Sequence, residues 1–137
     1  MKKILPAIAG VLLGALFLMA SLMFLLHVDQ PPPKTPPPAD VITFMTLFST
    51  TGYFTVVKVF ELIGGLLVMI PLTRNLGLLI LGPIIVNILT FTFCIGGGFQ
   101  SLNNPMSAVM MTLTVVLPLY LLWVERKAFA GLVQRVR

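Results

Sequence analysis

Apolar residues run through this chain in long stretches instead of the one-sided stripes of a helix that faces water. Residues 4–26 carry no charge and would span roughly 34 Å as a helix, enough to cross a hydrocarbon core of about 30 Å. Further runs of spanning length lie at 53–72, 76–95 and 105–124. Residues 41–51 differ from these. Thr43, Thr46, Ser49 and Thr50 fall on one side at helical spacing, and Val41, Ile42, Phe44, Met45, Leu47 and Phe48 on the other. One straight helix over 41–72 would be about 48 Å long, too long for a single crossing, so a break is expected near Thr51-Gly52. The 41–51 piece then lies along the membrane surface, with Asp40 placed to cap it. The expected fold is an all-α membrane protein in one domain: four transmembrane helices in a bundle, plus a short interfacial amphipathic helix before the second span.

The connections agree with that division. Residues 27–40 hold Pro31, Pro32, Pro33, Pro36, Pro37 and Pro38, which favour an extended polyproline path and make a stiff exposed loop. Pro71 and the polar Thr73-Arg74-Asn75 end the second run, and Gly96-Gly97-Gly98 ends the third. The first run is longer than a signal-peptide core and lacks a small-x-small cleavage site, so it reads as a retained transmembrane helix.

Composition and charge sharpen the picture. Of the 137 residues, 58% are hydrophobic and 9% charged, against about 25% charged in a soluble domain. The net charge of +5 does not point to nucleic acid, because no basic face interleaved with aromatics is present. Instead Lys2, Lys3, Arg74, Arg126, Lys127, Arg135 and Arg137 all fall on one side of the expected bundle, and the two opposite loops hold only Lys34. The positive-inside rule then puts both termini in the cytoplasm, and the expected location is a bacterial inner (cytoplasmic) membrane.

Against this apolar background a few residues stand out. Lys58 and Glu61 are three apart, so they share a helix face and can pair. An intramembrane charge costs roughly 2.5–3.5 kcal/mol on insertion scales, which marks a functional candidate. Two roles stay open for the pair: a proton- or ligand-handling site, or structural glue with Lys58 snorkelling to the outer surface. Asn87 lies mid-run, four residues after Pro83, where a helix kink is expected. With Thr90 and Thr92 it could complete a polar patch facing Glu61. Gly10 and Gly14 form a GxxxG, and Gly64-Gly65 makes a similar flat spot, so both stretches are helix-packing candidates, within this chain or with another. His27 reads as an interfacial histidine and Cys94 as inert packing. One cysteine rules out an intrachain disulfide. No nucleophilic triad, phosphate loop, dinucleotide fingerprint or metal-spaced cluster appears, so no catalytic or metal residues are assigned and a self-contained enzyme is not expected.

The stretch YFTVVKVFELIGGLLVMIPLTRNLGLLILGPIIVNILTF, residues 53–91, resembles the DoxX-like family of small four-helix membrane proteins. KVFELIGGLLVMI at 58–70 and LGPIIVNILTF at 81–91 carry most of the likeness, and WVERKAFAGL at 123–132 looks like the end of family members. The resemblance implies a helix pair bearing Lys58, Glu61, Gly64, Gly65, Pro83 and Asn87, and a link to a subunit of a quinol-oxidising respiratory complex. This chain departs from the family pattern near Thr92, where many members have a histidine. The leading expectation is a non-catalytic accessory subunit of a larger membrane electron-transport complex, respiratory or photosynthetic, whose partners are the lipid bilayer and other membrane subunits. On that reading Gly10→Leu or Gly14→Leu detaches the protein from its partner. The alternative is a quinone-interacting or proton-coupled component with a polar site at Lys58, Glu61 and Asn87, in contact with quinone or lipid.

Overall fold

A computed structural model of the protein describes residues 2–134; Arg135 and Arg137 of the charge pattern lie outside the described residues. The described chain is helical, without a strand. Helices α1 (Ile4–Leu25), α2 (Ala39–Thr50), α3 (Tyr53–Met69), α4 (Arg74–Cys94), α5 (Pro105–Val124) and α6 (Arg126–Gln134) follow in order, with a 3-10 helix at Gly98–Asn103 before α5. Helices α1, α4 and α5 are each long and apolar enough to cross a membrane, and the bent pair α2–α3 raises the number to as many as four. On its own, α3 has 17 residues, about 25 Å of helix.

The break within 41–72 falls where it was expected. Helices α2 and α3 meet at 81°. Gly52 between them has φ of 73°, a left-handed conformation that a Cβ disfavours. Other boundaries moved, each for a local reason. Helix α2 starts at Ala39 and Pro38 occupies the N-cap position, so Asp40 sits in the first turn and caps nothing. Its charge still complements the helix dipole there. Helix α3 ends at Met69 because Ile70, ahead of Pro71, is extended with ψ of 119°. The Thr73 hydroxyl donates to the freed Leu67 carbonyl at 2.9 Å, and α4 begins directly after it. The side chain of Asn104 caps α5 by accepting from Met106 N–H at 3.2 Å, with Pro105 at the first helical position. Pro83 lies inside α4, which continues on both sides of it. Helix α6 was not foreseen, since its nine residues follow the last apolar run directly and Glu125 alone breaks the helical path.

Helix α3 is the centre of the molecule, packed between α1 and α4, with α5 against α1. The core joins Ala9, Leu13 and Phe17 of α1 to Val68 of α3, Leu78, Leu81 and Ile85 of α4, and Leu121 of α5. Outward-facing residues such as Leu79 and Val86 of α4, and Val109, Val116 and Leu119 of α5, are also large and apolar. A bundle in water would hide such residues, whereas hydrocarbon solvates them as well as the core does.

Glycines set the spacing of the central helices. A Cβ on Gly14 would stand 2.5 Å from the Gly65 carbonyl, and one on Gly65 would stand 3.1 Å from the Gly14 carbonyl. Gly64, one residue earlier and about 100° round the helix, faces α4, where a Cβ would meet Leu81 at 2.8 Å. Gly77 returns the contact from α4, with a Cβ 2.9 Å from the Gly64 carbonyl. The adjacent pair Gly64-Gly65 therefore serves two neighbours, one on each side. Of the two uses left open for the GxxxG, the described contacts are those within the chain: Gly10 and Gly14 face α3.

Gly10 has a second task. Arg74, at the start of α4, is buried, and a Cβ on Gly10 would stand 3.1 Å from its Nε. The guanidinium crosses α1 at this gap and reaches Glu125, beyond α5, at 3.7 Å. One residue of the basic signature thus lies inside the bundle, at the junction of α1, α4 and α5.

Candidate functional site

Glu61 is the one buried carboxylate among the described residues, with its side chain 3% exposed. It sits two turns into α3, and Lys58 one turn earlier shares its face, as the spacing required. Lys58 Nζ donates to Glu61 Oε2 at 2.8 Å, within the range of a charge-assisted bond. Ser21 Oγ of α1 donates to the same oxygen at 3.3 Å, a long and weak bond. Among the described residues, none donates a hydrogen bond to Oε1. Lys58 remains 20% exposed, so its charge is only partly desolvated. Ser21 escaped the sequence reading because one hydroxyl in an apolar run carries no pattern; only the packing of α1 on α3 brings it to Glu61. Ser21→Ala leaves Lys58 on Oε2, so it should lower stability by only about 0.6 kcal/mol, a typical interhelical bond, as read by thermal melting in detergent.

Beside the pair, a cavity of about 140 Å³ opens between α2, α3 and α4, and Lys58, Glu61, Asn87 and Tyr53 are its polar lining. The rest of its wall is aliphatic and aromatic, including Phe44 and Phe48 of α2, Phe54 of α3 and Phe91 of α4. These rings also hold α2 in place. Phe44 stacks on Phe48 at 4.1 Å and lies 4.7 Å from Phe91, while Phe48 meets Phe54 at 5.6 Å and Tyr53 edge-on at 4.6 Å. Aromatic pairs contribute about 0.5–1.5 kcal/mol each beyond burial. Helix α2 has no fully buried residue, so these contacts are its main attachment. Its threonines turn inward on the helix itself: Thr43, Thr46 and Thr50 donate to the carbonyls of Ala39, Ile42 and Thr46.

Asn87 is on the face of α4 expected for it and shares the cavity with Glu61, but among the described residues it makes no hydrogen bond across helices. Ile84, Asn87, Ile88 and Phe91 line the cavity at three- and four-residue spacing. Thr90 and Thr92 do not join it: their hydroxyls donate to Val86 and Ile88 carbonyls one turn back. Cys94, at the last turn of α4, is exposed and not the buried packing residue expected. No group of three or more His, Cys, Asp or Glu side chains suited to a metal occurs among the described residues.

This geometry can seat a ring. A space near 150 Å³ lined by apolar side chains is about the volume that takes benzene. Asn87 offers both an amide donor and a carbonyl acceptor, Glu61 Oε1 a charged acceptor and Lys58 a charged donor. A drug-sized ligand, which needs roughly 300–1,000 Å³, does not fit.

No family model matches the chain, and no solved structure does. Over 93 residues the chain is 34% identical to a protein of Bacillus subtilis (strain 168) described as "Uncharacterized protein YwoB". The match covers 65% of this chain and 55% of that protein, so it spans about half the relative's length.

Proposed function

We propose that this chain is an integral membrane protein which binds the ring of a lipophilic molecule, a quinol or another hydroxyl-bearing ring lipid, in the cavity beside Glu61. The observation that carries the proposal is a ring-sized, largely aromatic space whose polar lining residues are Lys58, Glu61, Asn87 and Tyr53. A quinol headgroup, whose oxygens accept from Lys58 and Asn87 and whose hydroxyl donates to Glu61 Oε1, satisfies these three, while an apolar tail leaves toward lipid. The resemblance to DoxX-like proteins belongs to the same proposal, because three of the residues that carry it line this cavity. The test is titration of the detergent-purified chain with a benzoquinol bearing one isoprenyl unit, kept reduced and read by calorimetry. Asn87→Leu, at an exposed position, should weaken binding at least about tenfold, the effect of an unpaired polar contact of roughly 1.4 kcal/mol. Equal binding by both proteins sinks the proposal.

The membrane arrangement we propose has α1, α3, α4 and α5 crossing, with α2 along the outer surface and both termini in the cytoplasm of a bacterial inner membrane. It is supported by the 81° bend and by the gathering of Lys2, Lys3, Arg74, Arg126 and Lys127 at one end. In a Cys94→Ala background, an impermeant maleimide should label Lys34→Cys in intact cells and Lys127→Cys only after permeabilisation. The reverse pattern inverts the topology.

A second reading, an accessory subunit of a membrane electron-transport complex, is favoured by α5. Only 11% of its apolar window is buried, which leaves a long face for another subunit. Native mass spectrometry of the gently extracted protein separates the readings: a discrete mass with redox or pigment-bearing chains supports the subunit. A bare chain carrying a lipophile supports the binder.

A further inference from the structure

The end of the bundle away from the Glu61 cavity is strongly basic. Among the described residues it holds Lys2, Lys3, Arg74, Arg126 and Lys127 against the single carboxylate of Glu125. That carboxylate is engaged by the buried Arg74, so it does not offset the cations on the surface. At this end a groove of about 620 Å³ separates the start of α1 from the α5–α6 junction, and Lys2, Arg126 and Lys127 all line it. No carboxylate approaches any of the three within 4.0 Å among the described residues. The Arg126 guanidinium lies over the Trp123 ring, 4.7 Å from its centroid. That contact holds the group in place and leaves its charge uncompensated. Leu5 and Tyr120 continue the groove as apolar wall.

Three unpaired cations above an apolar wall, with a tryptophan at the same level, match the two halves of an anionic phospholipid. We propose that this groove binds such a lipid, its phosphate ester between Arg126, Lys127 and Lys2 and the upper part of its acyl chains along Leu5 and Tyr120. Arg126 supplies a planar fork suited to two phosphate oxygens, and the lysines supply point charges. Because Lys2 comes from α1 and the other two cations from the α5–α6 junction, the bound lipid ties these elements together. The proposal rests on the membrane-spanning reading and not on the ligand at Glu61.

The experiment uses the full chain, stripped of lipid in detergent, and native mass spectrometry. Phosphatidylglycerol and phosphatidylcholine with the same acyl chains are titrated separately, with inorganic phosphate as competitor. We expect phosphatidylglycerol to be retained at least about tenfold more strongly than phosphatidylcholine, since each basic residue near an anionic surface contributes about fivefold. The triple variant Lys2→Gln, Arg126→Gln, Lys127→Gln should lose the preference while its melting temperature stays close to that of the parent. Lys34→Gln, at the opposite end, should keep it. Should the triple variant fail to fold, Lys127→Gln alone, at an exposed residue, should still show a loss of about fivefold. Equal retention of the two lipids, or an unchanged preference in the variants, overturns the site. Displacement by millimolar inorganic phosphate also overturns it, by showing that a free anion suffices. Release of the chain from membranes by alkaline carbonate without detergent would instead sink the membrane-spanning reading, a separate failure.

Discussion

Gly14→Leu should drive α1 off α3 and destabilise the bundle by at least about 3 kcal/mol, the upper end of the usual cost of overpacking. The size follows from what the new side chain meets. A Cβ at this position would stand 2.5 Å from the Gly65 carbonyl and 2.2 Å from Met69 Cγ. Met69 is flexible and can turn aside, but the Gly65 carbonyl is backbone in the middle of α3 and cannot. The helices must separate, and Leu13 and Phe17 leave the core with them. The measurement is the melting temperature in detergent, expected to fall by about 10 °C for a chain of this size. Gly131→Ala, in α6, is the control: nothing lies within 4 Å of the added Cβ, so the variant should keep or slightly gain stability through helix propensity. If Gly14→Leu melts with the parent, the α1–α3 contact described above is wrong. The same experiment tests where the GxxxG is used, since a glycine serving only a partner subunit would leave the isolated chain unharmed.

Glu61→Ala should cost about 3 kcal/mol, the low end for deleting one member of a buried ion pair. Removing the carboxylate strips Lys58 of its counter-charge and Ser21 of its acceptor. The penalty stays at the low end because Lys58 is already one-fifth exposed and its long stem can carry the ammonium outward. Glu61→Gln separates glue from binding. Its amide oxygen can still accept from Lys58 and Ser21, so most of the stability should return, about 2 kcal/mol relative to Ala. The charged acceptor facing the cavity is gone, however, and quinol binding should fall at least tenfold, with protein abundance and melting point near the parent values. A Glu61→Gln chain that vanishes from the membrane assigns the carboxylate to structure alone. One that binds as before removes it from the site.

Much of this architecture can be read from the residues alone. Uninterrupted apolar runs and the position of Gly52 mark the long helices and the break between α2 and α3, because local length, hydropathy and backbone freedom decide them. The Lys58–Glu61 pair is equally local: a spacing of three puts two side chains on one face whatever surrounds the helix. Helix ends were less legible, since Pro38, Ile70 and Thr73 act through backbone angles and a single hydroxyl bond that competing turn signals obscure.

What depends on two helices meeting has no counterpart in linear pattern. Nothing in GxxxG says whether its partner is α3 or another chain, and it is the registry of Gly14 with Gly65 that settles the matter. Nothing in Asn87, Thr90 and Thr92 says that only the first shares a cavity with Glu61, because that depends on how α4 is rotated by its contact with Gly64. Ser21, Arg74 and Glu125 acquire their partners the same way, at separations too long for any local rule. Hydropathy selects which segments become helices with little regard to their neighbours. Close packing selects which faces touch, and so the ring-sized space beside Glu61 exists only once α2, α3 and α4 have closed around it.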